Sequence, residues 1–306
     1  MNRHFRRTSL LLIASTFAFV FSSFDARDCD AQGIPDDVKL IDNVSYRSGS
    51  NACKLDLLIP KNLGDSTRPA IVFVHGGGWR NGDKRRGYFF SGAIEYAQKG
   101  YVCATINYRL TGEAPFPACI EDTKCAIRFL RANADKYHID PDLIGAYGNS
   151  AGAHLVSMLG LATKEAGLEG DGPHQDQSSA VQAVVASATP TDFLNWSGKE
   201  TSIRQLEQRF RSSEKPAKEL ASLSSPITHV SADAPPFLLI HGTADRTVPY
   251  RQGKSFHDAL KKAGAKDVEL ITIEGAGHGV FNQHAPKTHP AMEKFFARFL
   301  GTPESK

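Results

Sequence analysis

The chain has 306 residues, of which 41% are hydrophobic and 9% aromatic, and its formal net charge is +3. This length and composition suffice to bury a sizeable core, and we expect one globular domain. The near-neutral charge argues against a nucleic acid as partner.

The first 31 residues have the pattern of a secretory signal peptide. Three arginines among the first seven residues precede an apolar stretch from Leu10 to Phe21, and small residues follow at Ala26 and Ala31. About twelve apolar residues fall short of the roughly 20 that a spanning helix needs, so stable membrane insertion is not expected. We predict a cleaved leader over 1–31, one domain over 32–306, and a secreted or periplasmic protein.

Four cysteines remain after that cleavage: Cys53, Cys103, Cys119 and Cys125. An even number in an oxidising compartment permits three pairings. Cys103 lies in an apolar run, however, and a helix would hold Cys119 about 9 Å from Cys125, too far for a disulfide. Buried free thiols are therefore expected.

The predicted elements begin with an antiparallel hairpin and continue as alternating strands and helices. The hairpin joins Val38 to Tyr46 with Lys54 to Ile59. Later strands are predicted at Ala70 to Val74, Val102 to Asn107, Ile144 to Tyr147, Val181 to Ala186, Phe237 to Ile240 and Val268 to Ile273. Helices are predicted at Gly92 to Lys99, Ile120 to Tyr137, Ala151 to Ala162, Gln252 to Ala263 and Ala291 to Leu300. This alternation is typical of an α/β fold, with a mainly parallel sheet and helices on both faces.

Two polar stretches interrupt the alternation. They run from Thr163 to Ser179 and from Phe193 to Pro235, and the second contains a charged helical piece around Ser202 to Arg211. Because both leave the carboxyl edge of strands, we favour a small lid or pocket wall over surface decoration.

Two glycine-rich turns follow apolar strands and suggest acyl-transfer chemistry. In Gly148-Asn149-Ser150-Ala151-Gly152 a strand turns sharply into a helix, which would expose the hydroxyl of Ser150 above the sheet. A bare Gly-x-Ser-x-Gly occurs by chance in about one in ten chains of this length, so its strand-turn-helix context is what makes it informative. In His75-Gly76-Gly77-Gly78-Trp79, consecutive glycines let backbone N–H groups approach a developing negative charge.

A serine nucleophile needs a base and an acid to orient that base. His278 lies in a glycine loop directly after the last predicted strand, and Asp245 directly follows the preceding strand. The order Ser150, Asp245, His278 matches that of α/β enzymes with such a serine turn. Asp192 is a rival acid that we consider weaker, while His154 is expected in the core and His75 beside the glycine loop.

Metal and cofactor motifs are not found in the sequence. It has no His-x-x-x-His with an intervening Glu, no Cys-x-x-Cys, and no glycine-rich loop before a Lys-Ser or Lys-Thr pair. We expect hydrolysis without a metal or cofactor.

From Lys54 to Leu300 the chain resembles the α/β-hydrolase esterases, especially those similar to hormone-sensitive lipase and to bifunctional feruloyl and acetyl xylan esterases. Besides the two glycine motifs, the resemblance rests on several ordered blocks: Asn107-Tyr108-Arg109-Leu110, Phe116-Pro117-Ala118 with Asp122, Ser225-Pro226, Ala234-Pro235-Pro236-Phe237, His241-Gly242-Thr243-Ala244-Asp245 and His278-Gly279. Two features depart from the pattern: Ala153 replaces a glycine found in many relatives, and we expect no amino-terminal helical cap of the kind found in hormone-sensitive lipase relatives. The second difference favours the feruloyl and acetyl xylan group.

The resemblance implies a triad of Ser150, His278 and Asp245, with the oxyanion bound by the N–H groups of Gly77, Gly78 and Ala151. It implies hydrolysis of short-chain acyl or feruloyl esters, with small molecules or polysaccharides as the carriers. Trp79 lines the substrate pocket or packs beneath the loop, and both interpretations remain open.

Other functions remain as alternatives. An amide-cleaving relative, such as a formamidase or a peptidase-type serine hydrolase, would share the triad, although the chain lacks room for the propeller of prolyl oligopeptidases. A non-catalytic binding module of the same fold would normally have lost a triad member. The sequence does not define the oligomeric state.

Overall fold

A computed structural model describes residues 33–64, 66–196 and 216–303, which contain one eight-stranded sheet. The spatial order of its strands is β1-β2-β4-β3-β5-β6-β7-β8. The strands are β1 (Val38–Ser45), β2 (Lys54–Pro60), β3 (Arg68–Val74), β4 (Val102–Ile106), β5 (Ile139–Asn149), β6 (Ala183–Ser187), β7 (Phe237–Gly242) and β8 (Val268–Ile273). The first two strands form the predicted antiparallel hairpin, with a register shift between Ile41 and Val44. Strand β2 also runs antiparallel to β4, and the remaining pairs are parallel.

The described helices are α1 (Tyr88–Gln98), α2 (Ala118–Ala132), α3 (Ala134–Tyr137), α4 (Ala151–Leu161), α5 (Ala217–Leu223), α6 (Arg251–Ala263), α7 (Val280–Gln283) and α8 (Ala285–Leu300). They cover both faces of the sheet. Helices α2, α4 and α6 pack on the face that carries Val72 and Val74, whereas α1 and α8 pack on the face that carries Ile71 and Phe73. Successive side chains of a strand point to opposite faces, so a continuous apolar run such as β3 supplies both cores. The predicted α/β-hydrolase architecture is confirmed.

Several helix boundaries differ from those predicted. The helix expected over Ile120 to Tyr137 is interrupted at Asn133, whose side chain donates a hydrogen bond of 2.8 Å to the carbonyl of Phe129 and so competes with the backbone ladder. The last helix begins at Ala285, six residues before the predicted start. Pro286 in its first turn is compatible with a helix because the first N–H groups have no intrahelical acceptor, and the helix continues through Pro290, which has no N–H to donate.

The two insertions have different surroundings. In the first insertion, Glu169 accepts hydrogen bonds from Lys124 and Arg128 on α2. No residue of this insertion borders the cleft described below. In the second, Trp196 borders that cleft and α5 packs against the core. The charged piece around Ser202 to Arg211, like the predicted signal peptide, lies outside the described residues.

The four cysteines Cys53, Cys103, Cys119 and Cys125 are buried and free, as expected. Cys119 and Cys125 both lie on α2. Burial raises the pKa of the Cys103 thiol, which keeps it protonated and unreactive. Across the described ranges, no helix is both long enough and apolar enough to span a bilayer.

Candidate active site

Ser150 lies in the tight turn between β5 and α4. Its backbone has φ 56° and ψ −120°, a left-handed conformation that costs free energy for any residue with a Cβ. The turn is held by a hydrogen bond of 2.9 Å from the Ser150 N–H to the carbonyl of Ser187 on β6. A Cβ at Gly152 would lie 2.0 Å from the carbonyl oxygen of Val74, and one at Gly148 would lie 2.4 Å from backbone atoms of Gly152. The glycines therefore allow α4 to approach the end of β3 and expose the serine there.

His278 and Asp245 meet Ser150 at this edge of the sheet. His278 follows β8 and Asp245 follows β7, so both lie beyond the carboxyl ends of parallel strands. Nε2 of His278 lies 2.9 Å from Oγ of Ser150, and Nδ1 lies 2.8 Å from Oδ2 of Asp245. Because the carboxylate can only accept at Nδ1, the imidazole carries its proton there and Nε2 accepts from the serine hydroxyl. The arrangement can withdraw a proton from Ser150.

The carboxylate of Asp245 is buried and strongly stabilised in its charged form. Oδ1 accepts the N–H groups of Thr247 at 2.8 Å and Val248 at 2.9 Å. Burial alone would raise the pKa of Asp245, but its contacts with His241 and His278 and the Val248 N–H outweigh burial and hold the pKa well below its usual range. Nε2 of His241 lies 3.6 Å from Oδ2 and donates to the carbonyl of Val248 at 2.9 Å. His241 thus braces the acid loop, a role that its position in the sequence did not reveal.

The glycine loop after β3 brings backbone N–H groups to the same edge. Gly77 and Gly78 have φ of 115° and 61°, and a Cβ at Gly77 would lie 2.0 Å from the carbonyl oxygen of Asn81. In the described part of the chain, neither N–H donates to a backbone carbonyl. Ala151 is the first residue of α4, where an N–H has no intrahelical acceptor and the helix dipole favours negative charge. These three N–H groups remain the predicted oxyanion donors.

The Trp79 side chain packs in the core although the residue borders the cleft. It is 2% exposed, and its ring makes an edge contact with Phe193. Nε1 donates a hydrogen bond of 3.1 Å to Nδ1 of His154 on α4. This burial favours packing beneath the loop over direct contact with substrate.

His154 joins three segments that are distant in the sequence. It accepts from Trp79 at Nδ1, and Nε2 lies 2.7 Å from the carbonyl of Ser224, just after α5, to which it donates. Burial lowers the pKa of His154 to about 4, so the imidazole is neutral at pH 7. We predicted its place in the core but not these partners.

Ser150 and His278 lie in a cleft of about 810 Å³. Aromatic residues border it at Tyr88, Phe89 and Trp196, and arginines border it at Arg80 and Arg86. None of these five residues was singled out from the sequence, because the packing of the start of α1 and of the loops brings them to the cleft. The cleft is large enough for a small ester.

The rival acid Asp192 does not contact His278. Its carboxylate instead accepts the N–H of Asn195 at 2.9 Å and the side-chain amide of Asn195 at 3.1 Å. Within the described ranges, no group of three His, Cys, Asp or Glu side chains converges as a metal site requires.

Comparison with known proteins identifies related esterases. The BD-FAE family matches residues 55–260. Esterase LipC of Mycobacterium tuberculosis is 32% identical over 251 residues, which are 77% of this chain and 59% of LipC. The chain spans about three fifths of the length of the first such curated relatives.

Solved esterases share the fold. A truncated carbohydrate esterase from gut microbiota is 30% identical, with a TM-score of 0.78 over 88% of this chain and 99% of the other. The propionate-bound esterase Est2 of the planctomycete Thermogutta terrifontis is 27% identical, with a TM-score of 0.74 over 89% of this chain and 97% of Est2.

Proposed function

Since the chain belongs to the BD-FAE family of α/β-hydrolase esterases, we propose that it is a serine carboxylic-ester hydrolase with the triad Ser150, His278 and Asp245. The observation that carries the proposal is the continuous line of two hydrogen bonds, 2.9 and 2.8 Å long, that joins these side chains in the cleft. Esterase LipC and the gut carbohydrate esterase support the same reaction class.

The proposed reaction has two steps. His278 takes the proton of Ser150 through Nε2 while Oγ attacks the ester carbonyl carbon, and the resulting oxyanion accepts hydrogen bonds from the N–H groups of Gly77, Gly78 and Ala151. The imidazolium then protonates the leaving alkoxide, which leaves an acyl group on Ser150. In the second step a water molecule attacks the acyl carbonyl, giving its proton to His278, and that proton returns to Ser150 as the acid departs.

The chain's own groups supply the transition-state stabilisation. Each oxyanion donor is worth about 3 kcal/mol, because the N–H groups are already oriented before charge develops. The hydrogen-bonded Asp245 carboxylate fixes the tautomer of His278 and stabilises the imidazolium that forms.

For the substrate we propose a short-chain acyl or feruloyl ester carried by a polysaccharide. The gut carbohydrate esterase supports the polysaccharide, and the propionate bound to Est2 supports a short acyl chain. The leader-like first 31 residues support export of the protein to where such polymers are found.

A panel of substrates tests the proposal. The mature protein is assayed on 4-nitrophenyl acetate and palmitate, methyl ferulate, acetylated xylan and the amide 4-nitroacetanilide. We expect turnover of the short esters, a loss of about a millionfold in kcat in Ser150→Ala, and a loss of about ten-thousandfold in Asp245→Asn. The matched controls Ser157→Ala and Asp192→Asn keep near wild-type turnover, because neither residue borders the cleft.

Each contrary result has a distinct meaning. Full activity in Ser150→Ala would overturn the nucleophile, and loss in Asp192→Asn but not in Asp245→Asn would overturn the acid. Cleavage of the amide alone would favour an amidase, whereas inactivity on the whole panel would favour a binding module.

A further inference from the structure

Two arginines border the cleft without a partner of opposite charge. The Arg80 and Arg86 residues are exposed, and neither forms an ion pair with any described residue. None of the described residues that border the cleft is an aspartate or a glutamate. Among the described residues, the border of the cleft therefore carries two arginines and no acidic residue.

The loop that carries these arginines is held in place by its other cations. Nζ of Lys84 and Nε of Arg85 bind Oδ2 of the buried Asp56 at 2.9 and 2.6 Å. The Lys84 N–H also donates to Oδ1 of Asn107 at 2.6 Å. Because Lys84 and Arg85 are anchored on Asp56 of β2, and the Arg86 N–H donates to the carbonyl of Asp83 at 3.1 Å, the backbone at Arg86 is held at the border of the cleft.

The acidic residue of this loop, Asp83, already accepts two hydrogen bonds. The carboxylate of Asp83 accepts the side-chain amide of Asn107 at 2.9 Å and the N–H of Arg85 at 2.8 Å, and Asp83 does not border the cleft. The Asp83 carboxylate is thus hydrogen-bonded within its own loop, whereas Arg80 and Arg86 border the cleft.

We propose that the preferred substrate is an anionic ester, whose acyl or alcohol part carries a carboxylate that Arg80 and Arg86 bind. This inference rests on the proposed esterase function and specifies its substrate class. A guanidinium matches a carboxylate with two parallel hydrogen bonds, and a cleft lined with one sign of charge concentrates ligands of the other. Phe89 and Trp196 also border the cleft and offer apolar surface to the rest of the substrate, such as a sugar ring.

Two matched pairs of esters test the proposal and locate the charge. On the acyl side, monoethyl adipate is compared with ethyl hexanoate by ethanol release. On the alcohol side, the O-acetylated methyl glycosides of glucuronic acid and glucose are compared by acetate release. We expect kcat/KM to favour the anionic member of at least one pair, and this preference to weaken from about 0.02 M to about 0.5 M salt.

Variants identify the residues responsible. Arg80→Gln and Arg86→Gln each lower kcat/KM about tenfold on the preferred anionic ester, as expected for one lost hydrogen bond to a charged group. In each variant the ratio of kcat/KM for the anionic member of the pair to kcat/KM for the neutral member is expected to fall about tenfold. Arg86→Lys restores part of the loss, and the remote control Arg298→Gln on α8 changes neither ester.

The possible failures are distinguishable. Equal kcat/KM within both pairs would overturn the anionic substrate, and so would a preference for the anionic ester that survives when Arg80→Gln and Arg86→Gln are combined. In either case, Ser150-dependent hydrolysis of the neutral esters would still support the esterase. Absence of Ser150-dependent hydrolysis of all four esters would overturn both.

Discussion

At the scale of single residues, the site depends on a strained backbone at Ser150. A residue with a Cβ pays about 1–2 kcal/mol for the left-handed conformation that this turn requires. The neighbouring glycines and the bond to Ser187 hold it there, so the hydroxyl is presented to His278 before substrate arrives. The strain lowers the stability of the fold, and the strained turn holds the nucleophile in its reactive position.

This strain predicts that glycine gives a more stable protein than alanine at position 150, the opposite of their order inside a helix. Ser150→Gly is expected to have a free energy of unfolding about 1 kcal/mol higher than Ser150→Ala, because glycine adopts the positive φ without strain. At Ser157, inside α4, the glycine variant is expected to be about 1 kcal/mol less stable than the alanine variant. Urea denaturation of the four proteins measures both differences, and the same sign at the two positions would contradict the interpretation.

At the scale of elements, the close packing of α4 on β3 aligns the serine turn with the glycine loop. The absence of a Cβ at Gly152 is what permits the contact, since a Cβ would lie 2.0 Å from the carbonyl oxygen of Val74 and 2.7 Å from that of His75. Both of these atoms belong to backbone that the sheet or the loop holds fixed. The helix would have to move instead.

Gly152→Ala is therefore expected to lower the free energy of unfolding by about 2–3 kcal/mol. It is also expected to lower kcat about a hundredfold, because a displacement of α4 by about 1 Å moves Ser150 and Ala151 away from the N–H groups of Gly77 and Gly78. Gly112→Ala is the control, since an added Cβ there has no described neighbour within 4 Å. Denaturation and ester hydrolysis are measured on both. Wild-type stability and turnover in Gly152→Ala would show that the helix can shift at no cost.

At the scale of the whole molecule, His154 connects the glycine loop, the nucleophile helix and the second insertion. Burial lowers its pKa to about 4, below the usual value of 6.5. The unfolded chain therefore binds a proton at His154 at higher pH than the folded protein does. The stability associated with the neutral imidazole is complete above about pH 6.5 and is lost as the pH falls towards 4.

We expect His154→Gln to abolish this part of the pH dependence, since an amide can both accept from Trp79 and donate to Ser224 without titrating. The difference in free energy of unfolding between the wild type and the variant is measured as wild type minus variant. It is expected to fall by about 2–3 kcal/mol as the pH is lowered from 7 to 4. Urea denaturation across that range measures the difference. A constant difference would exclude His154 as the titrating group.

Much of the fold and of the candidate site could be predicted because both depend on local patterns. The apolar runs of β3 and β7, and the glycines after β3 and β5, place Ser150, Asp245 and the oxyanion loop at one edge through strand direction alone. Partners that depend on tertiary geometry could not be predicted in this way. The contact of His154 with Ser224 and the position of Arg86 at the cleft depend on how loops return to the sheet.

The register shift between Ile41 and Val44 affects the open border of the sheet. Strand β1 is the outermost strand on that side, and its outer edge would offer unpaired N–H and C=O groups to any extended segment. Asn43 has a positive φ there and turns its N–H inward to Asp56, which breaks the flat ladder that strand addition needs. We therefore expect the irregularity to disfavour intermolecular β-pairing at this border.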